Sequence, residues 1–275
     1  MQIPAGVAVD VPNARRNGGR SRRGSPRTRV AGPGGVIALG SSHFDGTTAI
    51  RTTEEGFPAV GWTLTMWIRN LEELDDFASR FCFQLNDTGG LNGTGIAAVV
   101  EGSADPDRHT VVSGSPGASL SFTPPFTRQV FDRGEWVFVA IQVESDGTHN
   151  AWCYGETADS AAEDETDMRF ATGTTTAEGT LDRMHLGANA LGTTPFTGDM
   201  CFVRAWEDGE TPKTPAEIWA ESRSRTPVSS TGFLGQWLVD GQTDGDNNDG
   251  TIDFSDSYGS GSLSASESVP AHLAP

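Results

Sequence analysis

The run from Trp136 through Gly155 constrains the fold more than any other stretch. Residues 136–143 are apolar at every position except Gln142. A strand sends successive side chains to opposite faces. Trp136, Phe138 and Ala140 therefore share one face, and Val137, Val139, Ile141 and Val143 share the other. A strand apolar on both faces is covered on both, or lies centrally in a packed sheet. Asp146-Gly147 follows. That pair predicts a type I′ hairpin turn, which needs positive φ at both central residues. The return strand, residues 150–155, sets Trp152 and Tyr154 against Ala151 and Cys153. The centre of the fold is thus expected to be an antiparallel ribbon.

The remaining chain repeats this grammar. Residues 62–68 alternate, with Trp62, Leu64, Met66 and Ile68 on one side and Thr63, Thr65 and Trp67 opposite. Further strands are expected at 36–39, 44–52 (as one strand), 81–85, 95–100, 109–112, 119–122 and 232–240. Residues 181–186 and 198–206 are expected as the last strands of one sheet. Thirty-four glycines and few helical periods favour many short strands joined by turns. One short helix is expected over 215–222, capped by Thr214 with Pro215 at its first position. At 275 residues one large β domain is sufficient. No run approaches the roughly 18 apolar residues of a membrane span. The first residues lack the charged and apolar regions of a secretory signal.

Three stretches together resemble a known family. The "G-x-W-x-x-V-A" strand, the "D-G" turn and the strand ending Trp152-Cys153-Tyr154-Gly155-Glu156 are similar to the central hairpin of concanavalin A-like and laminin-G-like jelly rolls, whose return strand reads "W/L-x-Y-x-G-E". His43-Phe44-Asp45-Gly46-Thr47 resembles their "F-D-G" opening strand. Residues 196–206, from Phe196 to Trp206, resemble their closing strand, and the helix after it fits. The resemblance spans residues 36–263. It implies an all-β, two-sheet antiparallel sandwich with one short helix. The family includes lectins, adhesion modules, virion proteins and some glycan-cleaving enzymes, so the fold alone leaves function open.

Charge divides the chain. Net charge is −18, yet residues 1–40 hold seven arginines and one acid, a net of +6. The remainder holds twelve basic and thirty-six acidic residues, a net of −24. The only lysine is Lys213. This composition resembles that of proteins from salt-loving archaea and their viruses, where dense salt screens self-repulsion. An ordinary acidic protein is the alternative. Residues 1–35 read as a basic, Gly-rich arm with no hydrophobic period. Arg15, Arg16, Arg20, Arg22, Arg23, Arg27 and Arg29 are suited to bidentate contacts with carboxylate or phosphate on a partner. No aromatic is interleaved, so sequence-specific nucleic-acid recognition is not expected. Residues 36–263 form the expected jelly roll, and 264–275 a loose C-terminal tail.

Chemistry is sparse. Cys82, Cys153 and Cys201 lie in expected strands, read as buried thiols, and match no metal spacing. Glu163-Asp164-Glu165-Thr166-Asp167 departs from the paired-carboxylate strand of glycan-cleaving jelly rolls and reads as a solvated loop. No catalytic residue is assigned. Asp244, Asp246 and Asn248, with Asp253, place oxygen ligands at alternate positions, as calcium loops do. Asn86-Asp87 with loop 163–167 is a weaker second calcium candidate. Trp67, Trp152 and Tyr154 are the candidate sugar-stacking aromatics, weighed against service in the core. The expectation is a non-enzymatic virion surface protein, a homo-oligomer anchored among other virion proteins by its arm, with the jelly roll displayed toward a cell-surface glycan. A free or surface-attached extracellular carbohydrate-binding module is the alternative, and a glycoside hydrolase a distant third.

Overall fold

The computed structural model describes residues 40–52, 57–76, 78–86, 96–115, 118–121, 130–174, 183–238, 249–250, 254–259, 263–266 and 268–273. The arm with its seven arginines, the strand expected at 36–39, and the calcium candidates Asp244, Asp246, Asn248 and Asp253 lie outside them. So does Asp87 of the second candidate. The elements, in order, are β1 (Ser41–Asp45), β2 (Thr48–Thr52), β3 (Trp62–Asn70), β4 (Ser79–Asn86), β5 (Ile96–Gly102) and β6 (Arg108–Ser115). Then come β7 (Ala118–Ser121), β8 (Phe131–Asp132), β9 (Trp136–Val143), β10 (Thr148–Gly155), β11 (Arg169–Thr174) and β12 (Arg183–Leu186). β13 (Thr197–Glu207), α1 (Pro215–Ser222), β14 (Phe233–Trp237), β15 (Asp249–Gly250), β16 (Phe254–Gly259) and β17 (Ser264–Ser266) complete the chain, followed by a 3₁₀ turn at Ala271–Leu273.

Two antiparallel sheets form a jelly-roll sandwich. One runs β11-β10-β9-β3-β13-β1-β17, with β14 on β13 and β15 on β14. The other runs β16-β2-β12-β4-β5-β6-β7, with β8 on β6. β9 lies between β3 and β10 and is buried at every position, as its two apolar faces require. Its inward face joins Trp62, Leu64, Met66, Ile68, Ala151, Cys153, Phe83 and Leu85 in the core between the sheets. Its outward face joins a second cluster holding Trp67, Trp152, Tyr154 and Phe202, over which α1 contributes Ile218.

A bulge in β13 helps build that outer cluster. Pairing with β3 shifts between Cys201 and Arg204, and Phe202 has φ +50°. Met200 and Val203 face the inner core, while Cys201 and Phe202 both face outward. Arg204, also outward, is buried against α1. Its Nη1 donates to the Glu221 backbone carbonyl at 2.8 Å and to Glu221 Oε2 at 3.2 Å. Its Nε donates to Gln236 Oε1 at 2.6 Å. Glu221 in turn accepts from the backbone N–H groups of Val228 and Ser229. Burial draws the Arg204 guanidinium down to about 10, with Glu221 opposing that drift.

Five features depart from the sequence expectation. Residues 44–52 form two strands, β1 and β2, in different sheets, because Gly46 at φ +78° turns the chain across the sandwich edge. β12 and β13 likewise lie in different sheets. The central hairpin has a four-residue turn rather than type I′. Only Gly147 has positive φ there, and the Asp146 carboxylate accepts from the Thr148 N–H at 2.8 Å. Residues 169–174, where no strand was expected, form β11. Finally, the tail is docked. β17 pairs with β1, Leu273 is buried, and the Ala271 N–H donates to Glu156 Oε1 at 2.6 Å. The helix matches its expectation, with Thr214 and Glu217 forming a reciprocal capping box.

Candidate functional site

The outer face of β9, β10 and β11 forms the floor of an open groove of about 700 Å³, within the size range of small-ligand sites. β10 alternates, so Asn150 and Trp152 both point outward. β11 pairs with it in a register that sets Phe170 opposite Trp152. The two rings lie 5.2 Å apart at 38°. Phe170 is 50% exposed and Trp152 is 5% exposed. Ala171, its neighbour, packs on the inner core instead. Glu165, Thr166 and Met168 make one wall of the groove, and residues 212–216 at the start of α1 make the other.

Below the aromatic pair lies a polar chain. Asn150 Nδ2 donates to Glu144 Oε1 at 2.6 Å and to Gln142 Oε1 at 3.3 Å. Gln142 Nε2 donates to Thr63 Oγ1 at 3.1 Å and to the Lys213 carbonyl at 2.9 Å. Thr63 Oγ1 donates to Asp208. Asp208 faces Lys213 Nζ at 3.6 Å, and that ammonium lies 4.6 Å above the Trp206 ring. Burial pushes the Asp208 carboxyl up, against the bonds from Thr63 and Lys213. At the rim, hydrogen bonds from Thr166 hold Asp164 below the usual carboxylate range. Bonds from Thr214 at the helix cap do the same for Glu217.

Of the three aromatics expected to stack on sugar, the structure leaves only Trp152 at a groove. Trp67 and Tyr154 are 1% and 2% exposed. Their rings pack on each other at 5.4 Å, with Trp219 of α1 over Tyr154 and His272 over Trp67. Tyr154 Oη donates to Ser222 Oγ at 2.8 Å. Helix and docked tail cover both faces, so neither ring can meet a ligand. Phe170, Gln142, Glu144 and Asn150 were missed. The alternation of Phe170, Thr172 and Thr174 with Ala171 and Gly173 was the available signal for β11.

The carboxylates of 163–167 sit in an exposed loop rather than on a strand. Asp164 Oδ1 caps the Thr166 N–H at 2.8 Å, and Asp167 Oδ2 accepts from the Glu163 N–H at 3.0 Å. Among the described residues no group of three or more His, Cys, Asp and Glu is arranged to hold a metal ion. The three cysteines are buried and unpaired, and burial raises each thiol. No helix among the described residues is long and apolar enough to cross a membrane.

No protein-family profile and no curated protein matches this chain. Solved structures do. One is a Bacteroides ovatus protein with a proposed carbohydrate-binding role, similar at 15% identity and a TM-score of 0.53. The match covers 83% of this chain and 59% of that one, so the chain spans about three fifths of its length. Another is a heptameric SAP-like pentraxin from Limulus polyphemus, at 12% identity and a TM-score of 0.50, covering 80% of this chain and 97% of that one. With the sheet order above, these likenesses identify the fold as a concanavalin A-like jelly roll.

Proposed function

We propose that this chain is a non-enzymatic carbohydrate-binding module, and that the groove over β9, β10 and β11 is its glycan site. One observation carries the reading. A half-exposed ring, Phe170, packed on the largely buried Trp152, stands next to a fixed amide and carboxylate row, Gln142, Asn150 and Glu144. Aromatic faces pack against sugar C–H groups, and held polar groups orient the hydroxyls. The carbohydrate-binding role proposed for the Bacteroides ovatus protein is in keeping with this reading.

Screening on a glycan array followed by calorimetry tests it. Phe170→Ala is the informative variant, because its ring is half exposed and outside the inner core. Affinity is expected to fall about 5- to 20-fold, from loss of roughly 1–2 kcal/mol of stacking. Wild-type affinity in that variant would refute the site.

The chain's charge asymmetry favours a second element. A +6 leader beside a −24 remainder suits an anchor on an acidic partner. We infer that the leader tethers the module to a larger assembly, with a virus particle as the expected case and host-surface attachment as its purpose. Deleting residues 1–35 is expected to abolish incorporation into the assembly and to spare glycan binding. Normal incorporation of the truncated chain would remove this element and leave the glycan site standing.

A further inference from the structure

We propose that the groove selects glycans carrying a free amine, an unacetylated hexosamine, over neutral and acidic ones. This rests on the glycan-binding reading above and concerns which sugar the same site takes. Both protons of Gln142 Nε2 are engaged, by Thr63 Oγ1 and the Lys213 carbonyl. Both protons of Asn150 Nδ2 are engaged, by Gln142 Oε1 and Glu144 Oε1. Thr166 Oγ1 donates to Asp164 at 2.7 Å, and Thr214 Oγ1 to Glu217 at 2.8 Å. Every side-chain amide and hydroxyl donor lining the groove is therefore already engaged by a group of this chain.

Apart from the indole N–H of Trp152, on a ring 5% exposed, and the ammonium of Lys213, the side-chain groups that remain are acceptors. Asn150 is 7% exposed, and among the described residues its Oδ1 accepts no hydrogen bond. Glu165 lines the groove with no hydrogen bond or ion pair to a described residue. Glu144 lines it too, with one oxygen on Asn150. The one cation of the lining, Lys213, sits between Asp208 and the Trp206 ring. A ligand that brings donors suits these acceptors, and positive charge improves the match to Glu144 and Glu165. An ammonium donates three hydrogen bonds, is attracted by both carboxylates, and gains from the aromatic faces of Trp152 and Phe170. A uronic acid brings a third carboxylate to the same space and is repelled. An N-acetyl group removes the charge and two of the donors.

The test is calorimetry at fixed ionic strength with four oligosaccharides of equal length. They are a β-1,4-glucosamine oligomer, its fully N-acetylated counterpart, a cello-oligomer and an oligogalacturonate. The glucosamine oligomer is expected to bind about tenfold tighter than its acetylated form, the order of one charge-assisted hydrogen bond in a partly exposed site. The double variant Glu144→Gln, Glu165→Gln is expected to lose that preference. A charge-matched control, Asp159→Asn with Glu207→Gln, changes two exposed acids outside the groove and is expected to keep it. Equal affinities, tighter binding of the galacturonate, or loss of preference in the control would overturn the inference and leave the glycan site standing. Absence of binding to all four and to a glycan array would overturn both. So would a peptide of residues 13–29 that occupies the groove when no oligosaccharide does.

Discussion

Glu135→Ala should loosen the groove from a distance. Glu135 sits just before β9, 7% exposed, and does not touch the groove. Its Oε1 accepts from the Glu156 and Thr157 N–H groups at 2.9 and 3.0 Å, from Thr157 Oγ1 at 3.0 Å, and from Ser160 Oγ. Its Oε2 accepts from the Asp132 N–H at 3.0 Å. The carboxylate thus pins the turn that leaves β10, and that turn leads directly into the wall holding Glu165, Thr166 and Met168. Truncation strands the Glu156 and Thr157 amides, which are half-buried, and frees two hydroxyls. At roughly 1–2 kcal/mol for each stranded amide, the loss should be about 2–4 kcal/mol. That is a large share of the ~5–15 kcal/mol typical of a folded domain. Glu135→Gln keeps one acceptor oxygen and should lose about half as much. Urea unfolding followed by tryptophan fluorescence reads the stability change. Hydrogen exchange at the Glu156 and Thr157 amides reads the turn, and calorimetry reads the sugar. A loss below about 1 kcal/mol, or unchanged exchange at those two amides, would refute the idea that this carboxylate organises the wall.

Other perturbations should behave as follows. Glu221→Ala leaves Arg204 buried without its counter-charge and strands the Val228 and Ser229 amides, so denaturant unfolding should show a loss of about 3–5 kcal/mol. His109 is buried beside Phe131 with neither ring nitrogen hydrogen-bonded, and burial draws it from 6.5 down to about 4, with Asp132 opposing. Protonation therefore favours the unfolded chain. The contribution is complete above about pH 6.5 and is lost as pH falls toward about 4, by roughly 3 kcal/mol. Burial also draws His149 and His185 down to about 4, so urea titrations across that window should show a loss larger than this one, and His109→Phe should reduce it by roughly a third. The net charge of −18 predicts that thermal stability rises between about 0.1 and about 1 M KCl, as screening relieves self-repulsion. A flat or falling melting temperature would count against the salt-adapted reading. Phe170→Ala should cost only about 1–2 kcal/mol of unfolding free energy, from its packing on Trp152, while weakening sugar binding, since its ring is half exposed.

The period-two pattern of apolar residues located most of the strands, the faces of β3, β9 and β10, and the sandwich class. β3, β9 and β10 keep the predicted division of side chains between two faces because successive residues of a strand point to opposite sides. Thr214-Pro215 placed the helix, since capping is a local matter. The same pattern could not say which outward aromatics stay exposed. Trp67, Trp152 and Tyr154 look alike in sequence, and all three face away from the inner core. Only the packing of α1 and residues 268–273 across the outer face decides that Trp67 and Tyr154 are covered and that Trp152 lines a groove. β11 was hidden for a related reason. An edge strand pairs on one side only and tolerates the polar, Thr-rich composition that reads as loop. The groove is assembled from residues 142–170 and 212–216, whose proximity depends on the register of β9 through β11 and the bulge in β13. Local sequence determines the faces of a strand, but contacts between segments far apart in the chain determine what covers them.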